Sequence, residues 1–202
     1  MDAVEMLTTT RTVRLRLDLS RPVDLDVVRD CVRIAQQAPT AGDREAGCWI
    51  VVTDPALRAK IGAVYREVFE ARYAGADNNT PLARSARYLA ENLGAVPVLV
   101  LPCLHVPGRR LPTGSQAGRW GLILPSAWSY MLAARSAGLA TAWTSLHLDA
   151  EDEIAAILEL PPDVRQAALI PTAHPLGNGF RPARRRPVDE ILHINGWQEA
   201  TP

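Results

Sequence analysis

The chain has 202 residues, enough for one domain with a sizeable hydrophobic core. Its 22 Lys and Arg side chains are balanced by 22 Asp and Glu, so no net field draws it to nucleic acid, anionic lipid or an acidic substrate. Cys31, Cys48 and Cys103 stand far apart in apolar contexts and read as buried thiols of a reducing compartment. The start, MDAVEMLTTTRTVR, lacks the basic-then-apolar pattern of a secretory signal, so a cytoplasmic protein is expected.

The first chemical cluster is Arg11-Thr12-Val13-Arg14, followed by Arg16. Two arginines three apart with a hydroxyl between them offer a fork and a hydrogen bond to one phosphate group. A solvated basic edge has the same pattern, and the pattern alone favours it. Asp24 caps a helix predicted over roughly residues 25–37, with Leu25, Val28, Cys31, Val32 and Ala35 on one face and Pro39 ending it. The polar loop from Pro39 to Gly47 leads into the strand CWIVVT and lies where side chains can point into a cleft. Asp54-Pro55 opens a helix to about residue 73, and another is predicted over roughly 82–93. VPVLVLPCL then reads as a strand covered on both faces, and HVPGRRLPTGSQ as a loop.

The stretch from Trp120 to Trp143 organises the remainder. Apolar or small residues occupy nearly every helical face between Leu122 and Leu132, while Ser126, Ser129 and Arg135 make it too polar to span a bilayer. It fits either a central core helix or one that shares apolar surface with a second copy of the chain. Gly138 is expected to end it in the left-handed conformation, with β-rich ATAWTSLHL following. The acids from Asp149 to Glu153 read as the first turn of a helix rather than an acid–base pair. AALIPTA is a further strand, and the basic run from Arg181 to Pro187 precedes a tail that includes Trp197.

Much familiar machinery is missing. There is no GxxxxGK[ST], HExxH, CxxC or GxSxG, and Gly177-Asn178-Gly179 follows a strand without a third glycine or a helix. The dispersed His105, His147, His174 and His193 read as surface or satisfied core residues. Helices alternating with apolar strands around one long helix predict an α+β layered domain.

Taken in order, RTVR, the APT loop before WIVVTD, the helix running into GLATAW, the strand LIPTA and the basic cluster before Pro187 resemble the nitroreductase family, FMN-dependent flavoproteins. The similarity extends through FRPARRRP and HINGW, and the loop resembles an actinobacterial-type APT-loop subgroup. The resemblance implies one domain over residues 1–202, an α/β sandwich with a mixed central sheet flanked by helices. It further implies a homodimer formed through the long central helix, with a C-terminal arm, about residues 180–202, crossing to the partner. FMN is the implied cofactor, NAD(P)H the reductant, and a nitroaromatic or quinone the small-molecule electron acceptor; nucleic acid, membrane and metal are not implied. Arg11, Thr12 and Arg14 correspond to the family's residues on the FMN phosphate and ribityl chain, joined there by Arg185 and Arg184. Pro39, Thr40 and Ala41 correspond to the loop that reaches the flavin from the other subunit. Leu139, Ala140, Thr141 and Ala142 correspond to the segment whose backbone passes the isoalloxazine ring. No side chain is assigned as catalytic, because flavin N5 carries the chemistry.

The loop also departs from the family, with Asp43 in place of the usual Asn, Glu45 in place of Gln, and Gly47 near the point where APT-loop relatives carry an aromatic. A carboxylate about 4 Å from a reduced, anionic flavin costs roughly 4 kcal/mol at an effective dielectric near 20. That lowers the two-electron potential by about 90 mV. Either FMN binds with a lowered potential, or Asp43 keeps a proton and imitates Asn, or the loop no longer contacts flavin in the family manner. Two rival readings follow: a flavin-binding or sequestering protein with little turnover, or a redox enzyme with a deazaflavin or an altered substrate.

Overall fold

The first helices begin at side-chain caps. In the computed structural model, which describes residues 2–40, 42, 44–75, 79–177 and 179–197, Asp2 accepts the Glu5 N–H at 2.8 Å to start α1 (Ala3–Thr9). Asp24 caps α2 (Leu25–Ala35) through the Asp26 N–H, and Asp54 caps α3 (Pro55–Arg72) through the Leu57 N–H. Thr80 does the same for α4 (Pro81–Asn92) through Ala83. Each cap satisfies a helix N–H that would otherwise have no intrahelical acceptor. Proline in the first turn of α3 and α4 loses nothing, since its missing N–H had no helical partner. The helix predicted to reach residue 37 ends at Ala35.

Five strands form one sheet: β1 (Gly47–Val52), β2 (Val98–His105), β3 (Ala140–Thr141), β4 (Val164–Gln166) and β5 (Ile170–Ala173). The order is β1-β2-β5-β3, with β4 also paired to β2, and every pairing of these strands is antiparallel. The sheet is thus antiparallel rather than mixed, and the parallel contact of Thr12 with Thr141 is an isolated bridge beside it. β2 is buried on both faces, as its apolar run implied. Leu99, Leu101 and Cys103 pack with Ile61, Phe69, Leu89 and Leu93 on one side, while Val98 and Val100 pack with Val28, Cys31, Tyr130 and Met131 on the other. Alternation of side chains along a strand therefore makes two cores separated by the sheet.

The stretch around Trp120 is less continuous than its composition implied. A short α5 (Ala117–Trp120) ends in a turn, and α6 runs only from Leu124 to Ser136, with Pro125 in its first turn. The longest helix is α3, at 18 residues. α6 packs against α2, where the buried Ser126 hydroxyl donates to the Ala35 carbonyl at 2.7 Å and satisfies a terminal acceptor of α2. Most of α6 is covered within one chain; Trp128 is its exposed large apolar residue. Gly138 ends the helix at φ +78°, as expected.

ATAWTSLHL is not a continuous strand. β3 stops after Thr141 because the next position faces Pro171: the Ala142 N–H reaches the Pro171 carbonyl at 3.1 Å, but proline has no N–H to return. Pairing resumes at Thr144 and Leu169, and Leu146–Ala150 then forms a 3-10 helix. The acidic run opens α7 (Glu151–Ile157), where Glu151 holds Arg165 through two hydrogen bonds of 2.8 and 2.7 Å. Its role is structural, as expected.

Two further expectations need correction. Cys48 and Cys103, far apart along the chain, are directly opposed across β1 and β2, and Cys48 is half-buried rather than buried. His147 is buried, yet neither ring nitrogen has a hydrogen-bond partner among the described residues, so it is not a satisfied core histidine. Among the described residues, no helix is long and apolar enough to cross a membrane.

Candidate functional site

The segment after α1 is extended and laced to the far edge of the sheet. The Val13 N–H donates to the Thr141 carbonyl at 2.8 Å, the Asp18 N–H to the His174 carbonyl at 2.8 Å, and the Leu176 N–H to the Arg16 carbonyl at 2.8 Å. Val13 and Leu17 are buried in the core, which fixes the backbone between them. Arg11, Thr12, Arg14 and Arg16 then line a cleft of about 410 Å³, together with Ser85 of α4 and Phe180. The size lies in the usual range of small-molecule sites.

Three features define its chemistry. Arg11 donates from Nη1 to the carbonyl oxygen of Arg181 at 2.8 Å, and Arg14 Nη1 lies 3.5 Å from Ser85 Oγ. Among the described residues, Arg11, Arg14 and Arg16 form no ion pair with a carboxylate, whereas Arg165 and Arg72 do. Three guanidinium groups gathered without an anion suit a phosphate monoester, whose oxygens accept charge-assisted hydrogen bonds. Thr12 Oγ1 accepts the Trp143 N–H at 3.3 Å and so ties the cleft to the strand after Gly138.

Phe180 forms the opposite wall. Its ring lies between two cations, with the Arg16 guanidinium carbon 4.5 Å and that of Arg135 4.3 Å from the centroid. Arg135 also lines a narrow crevice with Arg11, Leu139, Ala140 and Thr141, and its buried Nε has no hydrogen-bond partner among the described residues. The flanking Gly177 and Gly179 adopt φ +77° and +80°, left-handed conformations that let the chain turn sharply there.

The structure therefore gathers Arg11, Thr12, Arg14, Leu139, Ala140 and Thr141 at one place. Arg184 and Arg185 lie on exposed coil and do not line this cleft within one chain. Thr40 lines a separate pocket of about 130 Å³ with Glu45, Trp49 and Ser126, and Pro39 is exposed. Ala41 and Asp43 lie outside the described residues. Sequence reasoning did not assign Ser85, Arg135, Phe180 or Arg181. For Arg135 a signal existed, a cation interrupting an apolar helix; Ser85 had none. Among the described residues, no cluster of His, Cys, Asp and Glu can hold a metal ion.

Sequence and fold comparisons agree on one family. The family model described as "Nitroreductase family" matches residues 7–174, and the chain belongs to that family. It is 27% identical over 195 residues to iodotyrosine deiodinase 1 of Rattus norvegicus, covering 93% of this chain and 67% of the relative. The chain thus spans about two thirds of that relative's length. Among solved structures, an iodotyrosine deiodinase bound to FMN and 3-iodo-L-tyrosine superposes with TM-score 0.74 at 17% identity, over 96% of this chain and 99% of the other. An FMN- and NADPH-dependent nitroreductase from Sphigopyxis sp. strain HMH gives TM-score 0.72 at 20% identity, over 98% and 100%.

Proposed function

We propose that this chain is an FMN-dependent oxidoreductase that passes hydride from NAD(P)H to an electron-poor small molecule such as a nitroaromatic or quinone. The observation that carries the reading is the cluster of Arg11, Arg14 and Arg16, without carboxylate partners among the described residues, in a chain of the nitroreductase family. Arg11 and Arg14 hold the phosphate, and charge-assisted hydrogen bonds of this kind contribute roughly 1.5–3 kcal/mol each. Thr12 fixes the backbone at Trp143, and Leu139 to Thr141 present main-chain groups beside the same cleft. Bound FMN supplies two-electron chemistry at its N5 position. The protein supplies orientation and charge.

In this reading the molecule is a homodimer. Val188, Ile191, Leu192, Ile194 and Trp197 are exposed on the C-terminal segment of one chain, where an arm crossing to a partner buries them. Arg184 and Arg185 belong to the same arm, and the dimer brings Pro39 and Thr40 to the flavin of the other subunit. The fold neighbour that uses FMN and NADPH supports this choice of cofactor and reductant.

A second reading is reductive removal of halogen from a halogenated phenol, favoured by the deiodinase relatives. The purified protein is examined in visible absorbance with and without FMN, then given NADPH without oxygen. A band near about 450 nm that bleaches promptly supports the first reading. Bound flavin that NADPH leaves oxidised, with iodide released from 3-iodo-L-tyrosine after dithionite reduction, supports the second. A colourless protein that ignores FMN overturns both.

A further inference from the structure

β1 and β2 are paired so that Cys48 faces Cys103. The His105 N–H donates to the Ala46 carbonyl at 2.8 Å, and hydrogen-bonded pairs recur every second residue along an antiparallel ladder. Cys48 and Cys103 therefore form such a pair, with Cα atoms about 5.5 Å apart. A disulfide spans Cα separations of roughly 4.4–6.8 Å and brings its Cβ atoms to about 3.5–4.5 Å, so closing the bridge draws the opposed Cβ atoms of this pair together by about 1 Å. Both side chains lie on the α3 side of the sheet, where Cys103 belongs to the core and Cys48 packs against its margin.

Their environments differ. β1 is a sheet edge and Cys48 is partly open to solvent, whereas Cys103 is fully enclosed. His105, next on that face of β2, has Nε2 2.5 Å from Asp163 Oδ2. The neighbouring Cys103 thiol lowers the Cys48 thiol to about 7 against the effect of burial; His105 lowers it further, and Asp163 opposes. The same contact, then burial, raises the Cys103 thiol. Reactive thiolate is thus placed on the accessible member of the pair. Cys31 lies across the sheet in the other core, and burial raises its thiol to about 11.

We propose that Cys48 is a hydroperoxide-reactive site and that Cys103 resolves its oxidised form to a cross-strand disulfide. The Cys48 thiolate attacks the peroxide, forming S–O as O–O breaks, and the departing oxygen takes a proton and leaves as water. The Cys103 sulfur then attacks the sulfenic sulfur, forming S–S as S–O breaks, and the Cys103 proton leaves with the hydroxyl as a second water. Two thiols and one hydrogen peroxide give one disulfide and two waters. Enclosure keeps peroxide from Cys103 while leaving Cys103 opposite Cys48 across the two strands. The site does not depend on flavin.

The test is a hydrogen peroxide titration of the purified chain, followed by unfolding, maleimide labelling and peptide mass mapping. The untreated chain takes labels at its three cysteines. The oxidised chain should take one, at Cys31, and yield a Cys48–Cys103 cross-linked peptide that dithiothreitol releases. Cys103→Ser and Cys103→Ala, each checked for its fold by circular dichroism, should leave Cys48 as a sulfenic acid captured by dimedone. Sulfinic acid on Cys48 with Cys103 still labelled overturns the proposal. So does peroxide oxidation of Cys103 in Cys48→Ser, or three labels retained at a peroxide concentration that oxidises free N-acetylcysteine.

Discussion

Arg11 donates from Nη1 to the carbonyl oxygen of Arg181 at 2.8 Å, linking positions 170 residues apart. The bond joins the segment after α1 to the segment after β5, the two walls of the cationic cleft. Arg11 therefore both closes the cleft and charges it, whereas Arg14 makes only a long contact to Ser85.

Arg14→Ala is consequently the cleaner probe of the phosphate reading. Its loss should weaken FMN binding roughly tenfold to a hundredfold, the equivalent of one charge-assisted hydrogen bond. The melting temperature of the flavin-free protein should change little. Flavin fluorescence titration measures the first effect and calorimetry the second; unchanged FMN affinity removes Arg14 from the site.

Phe180→Ala should loosen the other wall. Cation–π contacts are worth on the order of 0.5–2 kcal/mol each, and this ring makes two. Faster FMN release in stopped flow is expected, with Phe180→Tyr retaining most of the wild-type rate. Equal release rates for the alanine variant and wild type would mean that the stack does not hold the cleft.

His147 predicts a pH dependence. Burial lowers its pKa to about 4 from the ordinary histidine value of about 6.5, although Glu151 opposes the shift. The unfolded chain thus binds a proton between those values that the folded chain excludes. Stability should be full above about pH 6.5, fall as pH drops toward 4, and lose about 3 kcal/mol across that window. His147→Phe should flatten this part of the profile in urea unfolding at a series of pH values. A wild-type curve already flat between pH 6.5 and 4.5 contradicts the assignment.

Gly62 of α3 meets the chain just after α4 so closely that an added Cβ would lie 2.6 Å from the Gly94 nitrogen and 2.9 Å from its Cα. Backbone cannot yield as a side chain can, so Gly62→Ala should cost about 1–3 kcal/mol. Gly118→Ala, where a Cβ meets nothing within 4 Å, serves as the neutral control. Chemical denaturation of the two variants distinguishes them.

The elements most legible in the sequence were those with local causes. Asp24 and Asp54 begin helices because a short polar side chain reaches an orphan N–H, and Pro55 agrees with the second. β2 was legible because an unbroken apolar run suits a strand with a core on each side. Where the sequence misled, the deciding partner was distant. Pro171 interrupts the strand after Thr141, and nothing near Thr141 announces it. The same holds for the site: RTVR was visible as a basic cluster, but Ser85 and Phe180 join it only through the fold. The opposition of Cys48 and Cys103 depends on strand register, which spacing along the chain does not encode.

The position of β2 has one more consequence. It has neighbours on both edges in β1, β4 and β5, and a core on each face, so its interior amides cannot meet solvent by fraying. Their deuterium uptake should require global opening and report the full unfolding free energy, while amides on the outer edge of β1 exchange through smaller fluctuations. Pro102 contributes no amide, which leaves Leu99, Val100, Leu101, Cys103 and Leu104 as the slow clocks of this strand.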